Sequence, residues 1–198
     1  MKTNLQSRKA EAFTLIEMVG VLAVIALLAA ILVPKVFSAI NNARYANTVS
    51  SINAVKTAAT DYFGKYGRFG EIGGVRMTTT ISNTWDKVLV AENFLERPFD
   101  TRLGDAPAIK VVASSATLGD GTCFALNGVA ANAIAAGSTV VVATIDNVEA
   151  ADAWELSKRI DGGTNSPLTQ LTGSTKDDLG RVTYPAGGGT VTIYLLHR

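Results

Sequence analysis

Among the residues able to do chemistry, one stands in an unexpected place. Glu17 is the single charge between Glu11 and Lys35, inside the stretch AFTLIEMVGVLAVIALLAAILVP that spans residues 12–34. A carboxylate placed in hydrocarbon costs on the order of 2.5–3.5 kcal/mol on insertion scales. It is best held beside an opposite charge. Glu17 therefore asks for a cation. The other candidates are sparse. His197, next to the last residue, is the sole histidine, and Cys123 the sole cysteine. One of each excludes a His/Cys zinc cluster and an internal disulfide, and argues against a Ser-His-Asp triad. They read as a surface histidine and a buried core thiol. Asp177 and Asp178 of TKDDLG, with Asp161, could offer hard oxygen ligands, but no EF-hand spacing is present. They read as solvated turn acids. No metal, no cofactor and no enzymatic activity are expected.

The element that must position Glu17 is the apolar run itself. From Phe13 to Val33 it has 21 residues, which as a helix reaches roughly 30 Å, the thickness of a bilayer core. Lys2, Arg8 and Lys9 precede it, opposed only by Glu11. That flank predicts a single membrane span with its N-terminus in the cytoplasm and everything after Pro34 exported. A secretory signal peptide would carry a shorter apolar core ended by small residues, whereas Ala29 and Ala30 lie inside this one. Ala23, Ala26 and Ala30 recur at helical spacing, either a face for close helix approach or ordinary lipid-facing alanine. Pro34 removes one helical hydrogen bond, so a kink or local melting is expected at residues 30–34.

The segment AFTLIE, with its short basic leader, Phe13 opening the apolar run, Glu17 four residues later and Pro34 after it, resembles the prepilin cleavage and methylation motif. That motif marks type IV pilins, type II secretion pseudopilins and competence pseudopilins. The resemblance covers about residues 1–65. It implies a prepilin peptidase and methylase that cuts between Ala12 and Phe13 and methylates the new amino terminus of Phe13. One departure is that Ala12 stands where the family usually has glycine. The resemblance also implies that Glu17 neutralises the Phe13 amine of an adjacent subunit during filament assembly. Implied partners are further copies in a helical homo-oligomer, the inner membrane and its assembly platform, and minor pilins.

Beyond Pro34 the chain has neither proline nor glycine until Gly64, and Val36, Phe37, Ile40, Tyr45, Val49, Ile52, Ala59 and Phe63 step mostly by three and four. This predicts an amphipathic continuation of the helix, ended by Gly64 and Gly67. Residues 65–198 read as an α+β head. A loop is expected over 69–82, a short helix over 83–95 capped by Asn83, and a second helix over 148–160 stopping at Gly162-Gly163. Strands are expected over 108–115, 122–129, 138–145, 181–185 and 190–196, with PAGGG at 185–189 as a flexible hairpin loop. The expected fold is pilin-like α+β, a long N-terminal α-helix packed on a small antiparallel sheet. Its divisions are a leader at 1–12, a transmembrane half-helix at 13–34, an amphipathic half-helix at 35–64 and a globular head at 65–198.

A net charge of +1 gives no bulk attraction to nucleic acid or anionic lipid, and the head's Lys and Arg residues are scattered. The function expected is that of a structural subunit of a type IV pilus, held in the inner membrane and then polymerised into a surface or periplasmic filament. The alternatives are a type II secretion pseudopilin and a competence-type minor subunit that binds DNA.

Overall fold

The computed structural model describes residues 13–69, 71–72, 75–76, 85–165 and 176–198. The chain divides into two compact units, Met1–Asn42 and Ala43–Arg198. One helix, α1 (Leu15–Tyr66, 52 residues), runs through both. It is helical across residues 30–34, so the expected melting at Pro34 is absent. A proline deletes one bond from the ladder, and strong helix formers from Leu27 to Ala30 lead into it. The helix ends at Tyr66, two residues beyond Gly64. Gly67 takes the left-handed conformation (φ 69°) and its N–H reaches the Phe63 carbonyl at 2.7 Å, an αL cap.

In the first unit every described side chain of α1 is exposed, including the large apolar residues from Leu15 to Ile40. In the second unit α1 buries Tyr45, Thr48, Ile52, Val55, Ala58, Ala59 and Tyr62, a three-and-four stripe. The stripe differs from the expected one: Thr48 replaces Val49 as a fully buried position, and Phe63 is only half-buried. Thr48 is tolerated because its hydroxyl is satisfied by Thr101 Oγ1 at 2.7 Å and by the Arg44 carbonyl at 2.9 Å.

Strands β1 (Glu71–Ile72) and β2 (Val75–Arg76) pair antiparallel within the expected 69–82 loop. Asn83, the expected cap, lies outside the described residues, and α2 covers Trp85–Ala91. Then follow β3 (Asp105–Ala113), a 3₁₀ turn at Ala130–Asn132, β4 (Thr139–Val148), α3 (Ala150–Asn165), β5 (Lys176–Asp177), β6 (Val182–Pro185) and β7 (Gly189–His197). Among the described residues the larger sheet has the antiparallel order β3-β4-β7-β6-β5. Val148 ends β4 rather than opening α3, and the helical geometry breaks at Gly162 (φ 71°).

β4 sits at an inner position and is buried from Val140 to Ile145. Val141, Ala143 and Ile145 join α1, α2 and α3 in the main core, while Val140 and Val142 face a second cluster with Val112, Phe124 and Ile134. Both faces of the strand are covered, so its sequence is a continuous apolar run instead of an alternation. The cover on the second face is the segment expected to be a strand at 122–129. It is irregular because Asp120 Oδ1 takes the N–H groups of Thr122 (2.8 Å) and Cys123 (3.1 Å), an Asx turn in place of a ladder. Its apolar residues reflect packing onto the sheet.

PAGGG is the β6–β7 hairpin, and it is closely packed. Gly188 adopts φ 80°, and a Cβ there would lie 2.5 Å from the Val148 carbonyl oxygen. Glycine is required by that approach. The architecture is α+β and pilin-like, a long N-terminal apolar helix with a small antiparallel sheet.

Candidate functional site: the helix terminus around Glu17

α1 begins at Leu15, which places Thr14 at the N-cap and Glu17 three positions into the first turn. The Glu17 Oε2 atom accepts the Thr14 backbone N–H at 2.9 Å and the Thr14 hydroxyl at 2.7 Å, and the Thr14 Oγ1 atom accepts the Glu17 N–H at 3.3 Å. The Thr14 carbonyl takes the Met18 N–H at 3.3 Å, the first bond of the helical ladder. This is a reciprocal capping box, in which side chains at N-cap and N3 satisfy backbone donors that the helix leaves open. A negative charge in the first turn also opposes the positive end of the helix dipole.

One carboxylate oxygen is thus committed to the chain's own terminus. The other, Oε1, has no hydrogen-bond partner among the described residues. Phe13 lies directly before the cap and is 82% exposed. Ala12 lies outside the described residues. Phe13, Thr14 and Glu17 therefore share one turn, whereas Pro34 stands 17 residues further along α1, roughly 25 Å at helical rise. Thr14 is the participant that sequence reasoning overlooked. Its signal was legible, since T-L-I-E before an apolar run has the S/T-x-x-E form of a capping box.

The helix that carries this terminus has a mean hydropathy of 2.8 over its most apolar window, none of it buried. Leucine, isoleucine and valine surface of this extent is stable only against lipid or against other apolar helices. Helix length and composition match a bilayer span.

The other candidates fall elsewhere. Cys123 is buried and unbonded to another sulfur. His197 is exposed, with Nδ1 2.7 Å from the Tyr194 hydroxyl. Asp161 and Asp177 are not solvated turn acids: the Asp161 side chain is 1% exposed and Asp177 3%. Asp161 Oδ1 accepts the Arg181 N–H at 2.8 Å and Oδ2 the Val182 N–H at 3.0 Å, fastening α3 to the start of β6. Burial still pushes its carboxyl above the usual range. Among the described residues, no group of three or more His, Cys, Asp or Glu side chains could hold a metal ion. A groove of about 810 Å³ lies between α1 and residues 94–102. Arg44, Arg97 and Arg102 line it together with Asp61, Glu96 and Asp100. With the signs balanced, it offers no cationic track for a phosphate backbone.

Compared with known protein families, residues 7–33 match the prokaryotic N-terminal methylation motif. No curated protein and no solved structure matches the chain. The matched span takes in the end of the leader with Arg8 and Lys9, Phe13, the Thr14–Glu17 box and the apolar helix up to Val33. That motif implies processing by a prepilin peptidase, and proteins that bear it are generally structural. Residues 7–33 thus give this chain the hallmark of type IV pilins and pseudopilins, and with the apolar helix they fit a membrane-anchored precursor of that type.

Proposed function

We propose that the chain is the structural subunit of a type IV pilus. The leader, residues 1–12, is cut from Phe13, whose amine is methylated, and α1 first anchors the protein and then packs among α1 helices of other copies. Residues 13–34 form the membrane half of the helix, 35–64 its amphipathic half and 65–198 the head. The observation that carries this reading is the uncovered apolar helix with one acid in its first turn, next to the terminus that cleavage would create.

Cleavage places a positive amine on Phe13, at the helix end where the dipole already disfavours it. Glu17 meets that charge in two ways. Oε2 stays on Thr14 and keeps the first turn folded, and Oε1 is free to accept the amine of an adjacent copy. Assembly then exchanges lipid contacts for helix contacts and neutralises both charges at one height, which sets the stagger between subunits. Pro34 bends the helix where it leaves the membrane half.

A second reading is favoured by the lone, buried Cys123. Without a disulfide to staple the C-terminal region, the subunit also fits a pseudopilin of a type II secretion system. Mass spectrometry of the mature N-terminus tests the shared core of both readings: methyl-Phe13 is expected, and an intact Met1 end overturns it. Electron microscopy of cells with and without the gene separates them. Loss of long surface fibres supports the pilus, and loss of protein secretion with fibres retained supports the pseudopilus.

A further inference from the structure

Two acids of the head, Asp161 and Asp177, are buried where α3 meets the edge of the sheet. Asp177 forms half of the two-residue strand β5 and lies opposite Tyr184 of β6 in register. Its Oδ2 accepts the Ser157 hydroxyl of α3 at 2.8 Å, and Oδ1 approaches the Leu179 N–H at 3.4 Å. These are thin compensation for a buried anion.

The charges around Asp177 oppose its ionisation. Asp161 of α3 and Asp178 of the adjoining turn both act on it as like charges. Among the described residues, the cations nearest it in the chain, Lys176 and Arg181, are engaged elsewhere. Arg181 binds Asp161 and donates to the Ile160 carbonyl, and the Lys176 ammonium donates to the Leu118 and Gly119 carbonyls at 3.1 and 3.4 Å. The Tyr184 hydroxyl is buried, the residue being 3% exposed, and makes no hydrogen bond, so it gives the anion no support.

We propose that β5 is a proton-operated latch: neutral Asp177 closes the sheet edge onto α3 and β6, and its ionisation loosens β5 from both. The closed form is compatible with a neutral side chain in every contact, since the Ser157 hydroxyl can serve either protonation state. The open form carries the carboxylate into water, away from Asp161 of α3, and uncovers the outer edge of β6.

Burial first, then the two neighbouring carboxylates, pushes the Asp177 carboxyl up to about 7. An unfolded or released aspartate titrates near 4. Between those limits the closed form binds more protons than the open one. Closure is therefore at full strength below pH 4, weakens as pH rises from 4 to 7 and is level above 7. One linked proton sets an upper slope of about tenfold in the opening equilibrium per pH unit.

The test is hydrogen exchange on the full-length chain in detergent micelles, read by mass spectrometry on peptides covering Lys176–Tyr184, with exchange times matched for intrinsic rate from pH 5 to pH 8. The latch predicts opening that rises by up to about tenfold per pH unit and levels off near pH 7, while peptides from β4 stay constant. Asp177→Asn should keep the segment closed at pH 8 and remove the slope. Flat wild-type protection across the range, or an Asn variant that keeps the slope, overturns the proposal. Should that variant misfold, the Asp177 carboxyl carbon of the wild-type protein is followed by NMR. A midpoint near 7 supports the latch, and one near 4 overturns it.

Discussion

Glu17→Gln separates the capping role that the geometry gives to this side chain from the pairing with a neighbour's amine proposed for it. Glutamine at the third helical position also completes a capping box, so its oxygen can stay on the Thr14 N–H and hydroxyl, now held at 2.9 and 2.7 Å. The change there is from a charge-assisted to a neutral hydrogen bond at an exposed helix end, a small effect. What glutamine lacks is the charge for a neighbour's amine. Leaving one member of a buried pair alone costs about 3–5 kcal/mol, roughly two to three and a half powers of ten per subunit contact. The expected outcome is normal membrane insertion, normal processing and almost no fibres. Thr14→Val gives the contrast, because it removes the hydroxyl from the box and keeps the acid. Loss of an N-cap side chain costs about 1 kcal/mol, so fibres should be reduced but present. Fibres are scored by electron microscopy and by immunoblot of the sheared fraction, with membrane levels as control. Wild-type fibre numbers in the Glu17→Gln strain would refute the charge-pairing role and leave Glu17 as a helix cap only.

Two predictions concern the head. Phe124 is fully buried and pins the irregular segment between β3 and β4 onto the sheet. Phe124→Ala should destabilise the protein by about 3–5 kcal/mol in urea unfolding, and an unchanged midpoint would mean that the segment is not packed as described. Asp161→Ala strips acceptors from the N–H groups of Arg181 and Val182, at about 1–3 kcal/mol for each unsatisfied donor. The unfolding midpoint should fall accordingly, with Asp161→Asn, which keeps one acceptor, falling less.

The chemistry at the amino end and the chemistry of the head are legible to different degrees. Within residues 13–34 each feature follows from local sequence: the long apolar helix from the length of the apolar run, the oddity of Glu17 from its isolation. Even the overlooked Thr14 contact is local, three residues from its partner. Helix terminus chemistry is written within one turn, since the donors that need satisfying belong to the same few residues.

What the sequence alone determined, then, is the long helix, the methylation motif, the α+β class and four of the strands, because each depends on spacing along the chain. Tertiary structure decided the rest. The order β3-β4-β7-β6-β5 places β4 beside a strand some 40 residues later, and no local pattern encodes that pairing. Residues 122–129 carry a strand-like pattern, yet Asp120 captures the N–H groups of Thr122 and Cys123 and the sheet's second face receives the Phe124 and Leu126 side chains. Asp161 and Asp177 look like turn acids until α3, which carries the first, packs on the sheet edge that carries the second, when burial changes both their hydrogen-bond duties and the pH at which Asp177 loses its proton. The physical reason is common to all three: they depend on which distant surface removes water from a residue, and burial is a property of the folded chain rather than of its neighbours in sequence.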